Sequence, residues 1–232
     1  MITLWLASSN PGKLREFAGA ARTRGLEVRP LPGYDLLPPC VEDAATFEEN
    51  ARKKAAYYSQ HSDGLVFADD SGIAVDALGG RPGVYSARFA GLQASDEQNN
   101  TRLLAELRQA LGPHAWDDVG EGARESAGGG SRAGSAAHYV CVVALARRGR
   151  VLAVCEGRAD GTIIGHPRGS GGFGYDPYFF YPPLGRTFAE LTPEAKFAVS
   201  HRGQAFRNLL DAIERMKLEH VEAGAAGLEA GP

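Results

Sequence analysis

The sequence lacks the features that would assign it to several broad classes. No apolar run approaches the ~20 residues of a membrane-spanning helix. The apolar run at residues 2–7 is too short for the core of a signal peptide and has no basic residues before it. The three cysteines, Cys40, Cys141 and Cys155, have no paired spacing typical of a metal site. We therefore expect a cytoplasmic protein with reduced thiols and no membrane partner.

An excess of basic residues is also missing. Lys and Arg number 25 against 28 Asp and Glu, which gives a formal net charge of −3. A protein of this charge has no broad positive surface for nucleic acid, so we expect no nucleic-acid partner. Any polyanion that it binds should be small and should meet a local cluster of cations.

The chain has enough apolar residues for a large α/β domain. At 232 residues and 44% apolar composition it can form one such domain or two small ones. Residues 112–137 are rich in Gly, Ser and Ala, which predicts a flexible insertion. We predict one domain at 1–218 and a disordered tail at 219–232.

Hydrophobic patterns and capping boxes predict the secondary structure. The predicted strands are at 2–7, 26–31, 65–68, 139–146, 151–157 and 161–165, and the predicted helices are at 11–24, 47–60, 95–111 and 202–217.

Two adjacent acids, Asp69 and Asp70, follow the apolar run 65–68, and Ser71 and Gly72 come directly after them. We predict that the strand ends at residue 68 and that the chain then turns sharply. Neighbouring carboxylates at a strand end suit a divalent cation, because Mg²⁺ prefers hard oxygen ligands. The alternative is a solvated turn without chemistry.

A polar turn joins the first strand to the first helix. Proline suits the first helical position, and free N–H groups and the helix dipole at this place favour an anion such as a phosphate. The turn matches neither a Walker loop nor a GxGxxG fingerprint. The alternative is a simple turn capped by an asparagine with a solvated lysine. The residues concerned are Ser8, Ser9, Asn10, Pro11, Gly12 and Lys13.

Three further segments carry candidate residues. Glu42 lies just ahead of a helix that the capping box at Thr46 opens, where it either binds metal or complements the helix dipole. The glycine-rich segment 169–177 contains Phe173 and Tyr175, which could stack on a nucleobase or fill the core. Ser200, His201 and Arg202 start the last long helix; they either carry function or are simply an N-cap, Ser200, followed by a buried or surface histidine.

The order of these motifs is more specific than any one of them. Together they resemble the inosine triphosphate pyrophosphatase family, also called the Ham1-like or noncanonical purine NTP pyrophosphatases, and the resemblance runs from residue 3 to about 216. It implies an α/β fold with an elongated, mixed and twisted sheet, flanking helices and two lobes around a nucleotide cleft, usually as a homodimer. It also implies Mg²⁺-dependent hydrolysis of ITP, dITP and XTP to the monophosphate and pyrophosphate.

The resemblance assigns roles to particular residues. Glu42 and Asp70 would hold Mg²⁺, and Asp70, helped by Asp69, would activate the attacking water. The substrate-binding residues that it implies are Ser8, Ser9, Asn10, Pro11, Gly12, Lys13 and Lys54 for the triphosphate, Ser71 beside it, Phe173, Gly174, Tyr175 and Asp176 around the base, and Lys196, His201 and Arg202 over base and phosphates.

Two departures from the family pattern lie outside the proposed catalytic groups. Ser8 and Ser9 stand where the family often has Thr-Gly, and the segment 112–137 is longer than usual.

Two other functions compete with hydrolysis. A nucleotide-binding sensor without turnover would fit loss of Glu42 or Asp70, but both are present. An RNA-binding module using Phe173 and Tyr175 would need a basic stripe that the sequence does not have.

Overall fold

The computed structural model describes residues 2–22, 24–112 and 135–228, with side chains as far as residue 216. Its helices are α1 (Pro11–Arg22), α2 (Phe47–Ser59), α3 (Asp96–Leu111), α4 (Pro193–Val199) and α5 (His201–Leu228). Its strands are β1 (Ile2–Leu6), β2 (Leu26–Pro30), β3 (Leu65–Val75), β4 (Ser135–Arg147), β5 (Arg150–Ile163), β6 (Phe179–Tyr181) and β7 (Arg186–Thr187). A 3-10 helix, Gly83–Arg88, follows β3.

The strands form one mixed sheet of seven strands in the order β2-β1-β3-β4-β5-β6-β7. β1 is parallel to both of its neighbours, and the pairs from β3 to β7 are antiparallel. The fold class predicted from the sequence is therefore confirmed. No helix in the part of the chain that the structure describes is long and apolar enough to cross a membrane.

Alternation along β3 separates two cores on opposite faces of the sheet. Phe67 packs with buried residues of α1 and α5, among them Phe17 and Phe206. Its neighbours Val66 and Ala68 point to the other face and pack with α2. Because successive side chains of a strand alternate between faces, Asp69 follows Phe67 toward α1 and α5, and Asp70 follows Ala68 toward α2.

A third core forms the second lobe. It lies at the far end of the long strands β3, β4 and β5, where α3 packs on the sheet and β6 extends it, and it includes Ile73, Leu103, Tyr139 and Phe179. The first lobe contains β1, β2, α1, α2 and α5. The cleft between the lobes therefore falls at the middle of β3, where the two acids are.

The prediction that the strand ends at residue 68 is wrong. β3 runs without interruption from Leu65 to Val75, because β4 pairs with it through the register Asp69↔Val143 to Val75↔Ala137. Gly72 makes no turn. A Cβ at this position would lie 2.3 Å from the Ser86 Oγ and 2.5 Å from the Gly83 carbonyl oxygen. The glycine is thus required because the 3-10 helix Gly83–Arg88 approaches the strand closely.

Other boundaries also differ. The predicted hairpin at 139–157 is confirmed, but both strands are longer, and residues 161–163 belong to β5 rather than to a separate strand. The last helix continues to Leu228, well beyond the predicted end at 217, and overlaps the predicted disordered tail. Of the predicted insertion, residues 113–134 lie outside the described residues, while 135–137 belong to β4.

Candidate active site

The candidate site is a gap beside β3. β1 pairs with β3 as far as Phe67, whose carbonyl oxygen accepts from the Ala7 N–H at 2.9 Å. The chain then leaves the sheet through the turn at residues 8–10, so no described strand pairs with β3 on that side at residues 69–72. A cavity of about 420 Å³ occupies this gap. Side chains from both faces of the sheet reach it.

Most of the residues singled out in the sequence lie around this cavity. Of the predicted site residues, only Pro11 and Gly12 do not line it, because they form the first turn of α1 and Gly12 lies under the Phe173 ring. The lining residues are Ser8, Ser9, Asn10, Lys13, Glu42, Lys54, Asp69, Asp70, Ser71, Phe173, Gly174, Tyr175, Asp176, Lys196, His201 and Arg202.

The start of α1 differs from the expectation of free N–H groups. The Asn10 Oδ1 accepts from the backbone N–H groups of Gly12 at 2.8 Å and Lys13 at 3.2 Å, so Asn10 caps the helix itself. Those two donors are therefore not available to an anion. The groups that remain for a phosphate are the hydroxyls of Ser8 and Ser9, the Lys13 side chain and the positive end of the helix dipole.

Asp69 is held between cations from α1 and α5. Its Oδ2 lies 2.9 Å from the Lys13 Nζ and 3.6 Å from the Arg202 Nε, and the residue is 2% exposed. Burial by itself raises the pKa of this carboxyl, but Lys13 and Arg202 outweigh it and lower the pKa to about 2. Asp69 is thus anionic at neutral pH and holds the Lys13 ammonium at the edge of the cavity.

Asp70 has different partners on the other face. Its Oδ2 accepts from the Asn50 amide at 3.0 Å, and its Oδ1 lies 3.6 Å from the Lys54 Nζ. The same ammonium donates to the Glu42 Oε2 at 2.7 Å. Burial and the nearby Glu42 raise the pKa of Asp70 above its ordinary value, although Lys54 and Asn50 act against this rise. The two adjacent acids therefore have separate sets of hydrogen-bond and ion-pair partners.

Glu42 and Asp70 converge on a single cation, the Lys54 ammonium. Two hard carboxylate oxygens around one positive charge are a donor set that fits Mg²⁺, which is usually held by one or two carboxylates together with substrate phosphates and water. No group of three or more His, Cys, Asp or Glu side chains among the described residues is arranged to hold a metal ion. A metal at this place would need ligands from the substrate.

Hydrogen bonds and an ion pair hold the glycine-rich segment in place. The Asp176 Oδ2 accepts from the Phe173 N–H at 2.9 Å and pairs with the Lys196 Nζ at 2.6 Å. The Tyr175 hydroxyl donates to the Ser86 carbonyl oxygen at 2.7 Å, which ties the segment to the 3-10 helix Gly83–Arg88. The Phe173 ring lines the cavity together with Tyr34, Tyr139 and Tyr175. The Lys196 Nζ lies 4.7 Å from the centre of this ring.

Glu16 joins the two basic residues under Phe173. Its carboxylate pairs with the Lys196 Nζ at 3.0 Å and accepts from the Arg202 Nη1 at 2.7 Å, while the Arg202 Nη2 donates to the Ser71 Oγ at 2.9 Å. Burial raises the pKa of Glu16, but Arg202 and Lys196 lower it by more. This carboxylate fixes the position of both cations, so it belongs to the site although the sequence did not single it out.

Sequence reasoning missed residues that act through distant contacts. Glu16 follows Lys13 by three positions on α1, and Asn50 precedes Lys54 by four on α2, so helical spacing could have indicated both. Tyr139 gave no such signal. It reaches the site because β4 pairs with β3, and its hydroxyl lies 3.4 Å from the Asp176 Oδ1. Strand pairing between distant segments has no local signature.

His201 is buried against an aromatic ring. Its imidazole stacks on Tyr139 with a centroid distance of 4.4 Å and an interplanar angle of 4°. Burial and the nearby positive charges of Arg202, Lys196 and Lys13 lower the pKa of His201 well below 6.5. The imidazole is therefore neutral at pH 7, and its Nδ1 has no hydrogen-bond partner within the described residues.

The lowered pKa of His201 predicts a loss of stability in acid. The unfolded chain binds this proton near pH 6.5 and the folded protein does so only at much lower pH, so stability is full above pH 6.5 and falls below it. Between pH 7 and pH 5 this group therefore lowers the free energy of unfolding. Urea unfolding at both pH values should show a smaller loss in His201→Phe, which keeps a ring on Tyr139. Equal losses in the two proteins would contradict this assignment.

Comparison with known proteins agrees with this architecture. The profile of the Ham1 family matches residues 4–118 and 121–212. A dITP/XTP pyrophosphatase of Acidobacterium capsulatum is 44% identical over 218 residues, covering 90% of this chain and 97% of that protein. One of Geobacillus kaustophilus is 44% identical over 211 residues, covering 91% and 94%.

Solved structures give the same result. The structure of a HAM1 protein from Coxiella burnetii has a TM-score of 0.74 and 34% identity, covering 93% of this chain and 100% of that one. The Ham1 protein of Staphylococcus aureus has a TM-score of 0.71 and 32% identity, covering 92% and 99%. The fold, the order of the motifs and these relatives lead to one conclusion: the chain belongs to the Ham1 family.

Proposed function

We propose that this protein hydrolyses noncanonical purine nucleoside triphosphates, namely ITP, dITP and XTP, to the monophosphate and pyrophosphate. The observation that carries the proposal is that one cavity joins the polar turn at residues 8–10, two adjacent acids with separate partners and an aromatic ring flanked by cations. The relatives named dITP/XTP pyrophosphatase support the same reaction.

The charges around the cavity explain why this reaction needs a divalent cation. Four cations, Lys13, Lys54, Lys196 and Arg202, pair with five carboxylates, Glu16, Glu42, Asp69, Asp70 and Asp176. The side chains thus carry a slight negative excess, which does not attract a triphosphate of about four negative charges. We propose that Glu42 and Asp70 hold Mg²⁺, which when bound neutralises phosphate charge and polarises the phosphoryl oxygens.

The protein groups then have distinct tasks at the triphosphate. Lys54 exchanges its carboxylate partners for phosphate oxygens, whereas Lys13 donates a further N–H to the phosphate while it stays paired with Asp69, and Ser8 and Ser9 donate from the turn. A water attacks the α-phosphorus in line with the leaving pyrophosphate; the new O–P bond forms as the bond to the bridging oxygen breaks. Asp70 accepts the proton of this water. Asp69 keeps Lys13 in position and stays anionic.

The base is read at the other end of the cavity. We propose that it stacks on Phe173, above the ion pairs of Lys196 and Arg202. The Arg202 Nε is buried without a hydrogen-bond partner among the described residues, as is the His201 Nδ1. A donor such as the Arg202 Nε suits the six-position carbonyl of hypoxanthine and xanthine and opposes the amino group of adenine. One such contact gives about tenfold to a hundredfold discrimination.

Pyrophosphate release from a panel of nucleotides tests the function. With Mg²⁺ we expect ITP, dITP and XTP to be hydrolysed at least about tenfold faster than ATP, with the monophosphate as the second product and no release in EDTA. Tight ITP binding without any release would instead identify a sensor, the alternative function. Equal rates on ITP and ATP would contradict the selectivity. Light scattering tests the proposed homodimer separately.

A further inference from the structure

Asn50 contacts both of the elements that carry the proposed metal ligands. Its side chain is buried, with 1% of the residue exposed. The Oδ1 accepts from the Ala44 N–H at 3.1 Å, two residues after Glu42, and the Nδ2 lies 3.5 Å from the Ala44 carbonyl oxygen. The same Nδ2 donates to the Asp70 Oδ2 at 3.0 Å. One amide therefore connects the Glu42 loop to the middle of β3.

The contact also fixes which oxygen of Asp70 faces the cavity. Asn50 binds Oδ2, which leaves Oδ1 on the side of the Lys54 ammonium, 3.6 Å away. The Ser71 N–H donates to this Oδ1 at 3.1 Å. The carboxylate plane is thus held from both ends. Without the Asn50 amide, the Ser71 bond and the Lys54 ion pair are the contacts among the described residues that would still oppose rotation about the Asp70 side chain.

The α2 helix provides this arrangement by its own periodicity. Asn50 and Lys54 are one turn apart and face the same side. Lys54 donates to Glu42, and Asn50 holds the backbone two residues beyond it, so the loop is fixed at two points. Arg88 adds a third contact, because its Nη2 donates to the Glu42 carbonyl oxygen at 3.0 Å. Lys54 reaches Asp70 through an ion pair at 3.6 Å, whereas Asn50 is the one of these three residues that hydrogen-bonds to both the backbone of the loop and Asp70.

We propose that Asn50 is a positioning residue that sets the separation of Glu42 and Asp70 and the orientation of the Asp70 carboxylate toward the divalent cation. The inference rests on the proposed function, because it needs these two residues as the metal ligands. Residues that orient metal-binding carboxylates typically change metal affinity by ten- to a hundredfold when they are replaced. The effect of Asn50 should therefore appear in metal binding itself.

The test measures Mn²⁺ binding to the full chain in the presence of an α,β-methylene analogue of ITP, using the electron paramagnetic resonance signal of free Mn²⁺. Asn50→Leu keeps the branched shape of the side chain but has no hydrogen-bonding group. We expect its Mn²⁺ Kd to rise at least about tenfold. The Mg²⁺ concentration that gives half of the maximal rate should rise as well. The KM for ITP, measured at saturating Mg²⁺, should change much less.

Ser59→Ala is the matched control. Ser59 is also a buried polar residue of α2; its Oγ donates to the Ala56 carbonyl oxygen and accepts from the Gly149 N–H, but it bonds to no carboxylate of the described residues and is not among the residues that line the cavity. We expect this variant to lose stability and to keep its Mn²⁺ Kd within about twofold. If Asn50→Leu does not fold, Asn50→Ser replaces it, with the same expected rise in Kd because a hydroxyl is too short to hold both partners.

Two failures are distinguishable. An unchanged Mn²⁺ Kd in a folded Asn50 variant, with an active wild type, overturns the positioning role and leaves the proposed function intact. A wild type that releases no pyrophosphate from any nucleotide overturns the proposed function, on which the inference depends. An equal rise in Kd in the Asn50 and Ser59 variants also overturns the positioning role, because the effect would then follow from general loosening of the structure.

Discussion

Asp70→Asn is expected to lower pyrophosphate release from ITP by at least about a thousandfold while the protein stays folded. The substitution keeps the size of the side chain and changes one oxygen to an amide nitrogen. An amide is a poorer ligand for Mg²⁺ than a carboxylate and cannot accept the proton of the attacking water. The measurement is the initial rate at saturating Mg²⁺ and ITP, together with thermal unfolding.

Asp160→Asn is the matched control for this variant. Asp160 is an exposed aspartate on β5 whose described ion pair is with Arg158 on the same strand. The same chemical change there should leave both the rate and the melting temperature nearly unchanged. Near-normal turnover in Asp70→Asn would remove Asp70 from the mechanism, and an unfolded Asp70→Asn would place the residue in the structure instead.

Gly72→Val is expected to have the largest effect on stability. Any Cβ at this position would lie within 2.5 Å of the Ser86 Oγ and the Gly83 carbonyl oxygen, and the two extra methyl groups of valine need still more room. The 3-10 helix Gly83–Arg88 would have to move away, which breaks the bond from the Ile73 N–H to the Ser86 Oγ at 2.9 Å. We expect a loss of at least about 2 kcal/mol, measured by urea unfolding.

Gly19→Ala provides a control of opposite sign. Gly19 is an exposed residue within α1, and a Cβ there would meet no atom within 4 Å. Alanine is the better helix former, so the variant should gain up to about 1 kcal/mol. A small or absent loss in Gly72→Val would mean that the 3-10 helix can move away from β3 at little cost. The contact between this 3-10 helix and Tyr175 would then not fix the glycine-rich segment.

Local signals in the sequence were sufficient for several helix boundaries. The capping box at Ser95 is present with both of its hydrogen bonds, and Thr46 caps α2 as predicted by accepting from the Glu49 N–H. Gly112 ends α3 at the expected place. Capping depends on residues within three or four positions of each other, which is the range over which sequence patterns carry information.

The course of β3 could not be predicted in the same way. A glycine after two acids and a serine is typical of a turn. Here the strand continues because β4 pairs with it along ten positions and Ser86 supplies an acceptor for the Ile73 N–H. Both partners are distant in the sequence. The same reason explains why Tyr139 was missed, whereas the order of separate motifs was enough to predict which segments meet at the cavity.

The position of the acids within β3 has a consequence for the energetics of catalysis. Asp69 and Asp70 lie at the centre of a strand that pairs with β4 along its length, so folding has already ordered their backbone before any substrate arrives. In the proposed mechanism, little reorganisation of these groups would remain for the transition state, which is the condition for effective preorganisation. Substitutions that loosen this part of the sheet should therefore reduce kcat before they weaken substrate affinity.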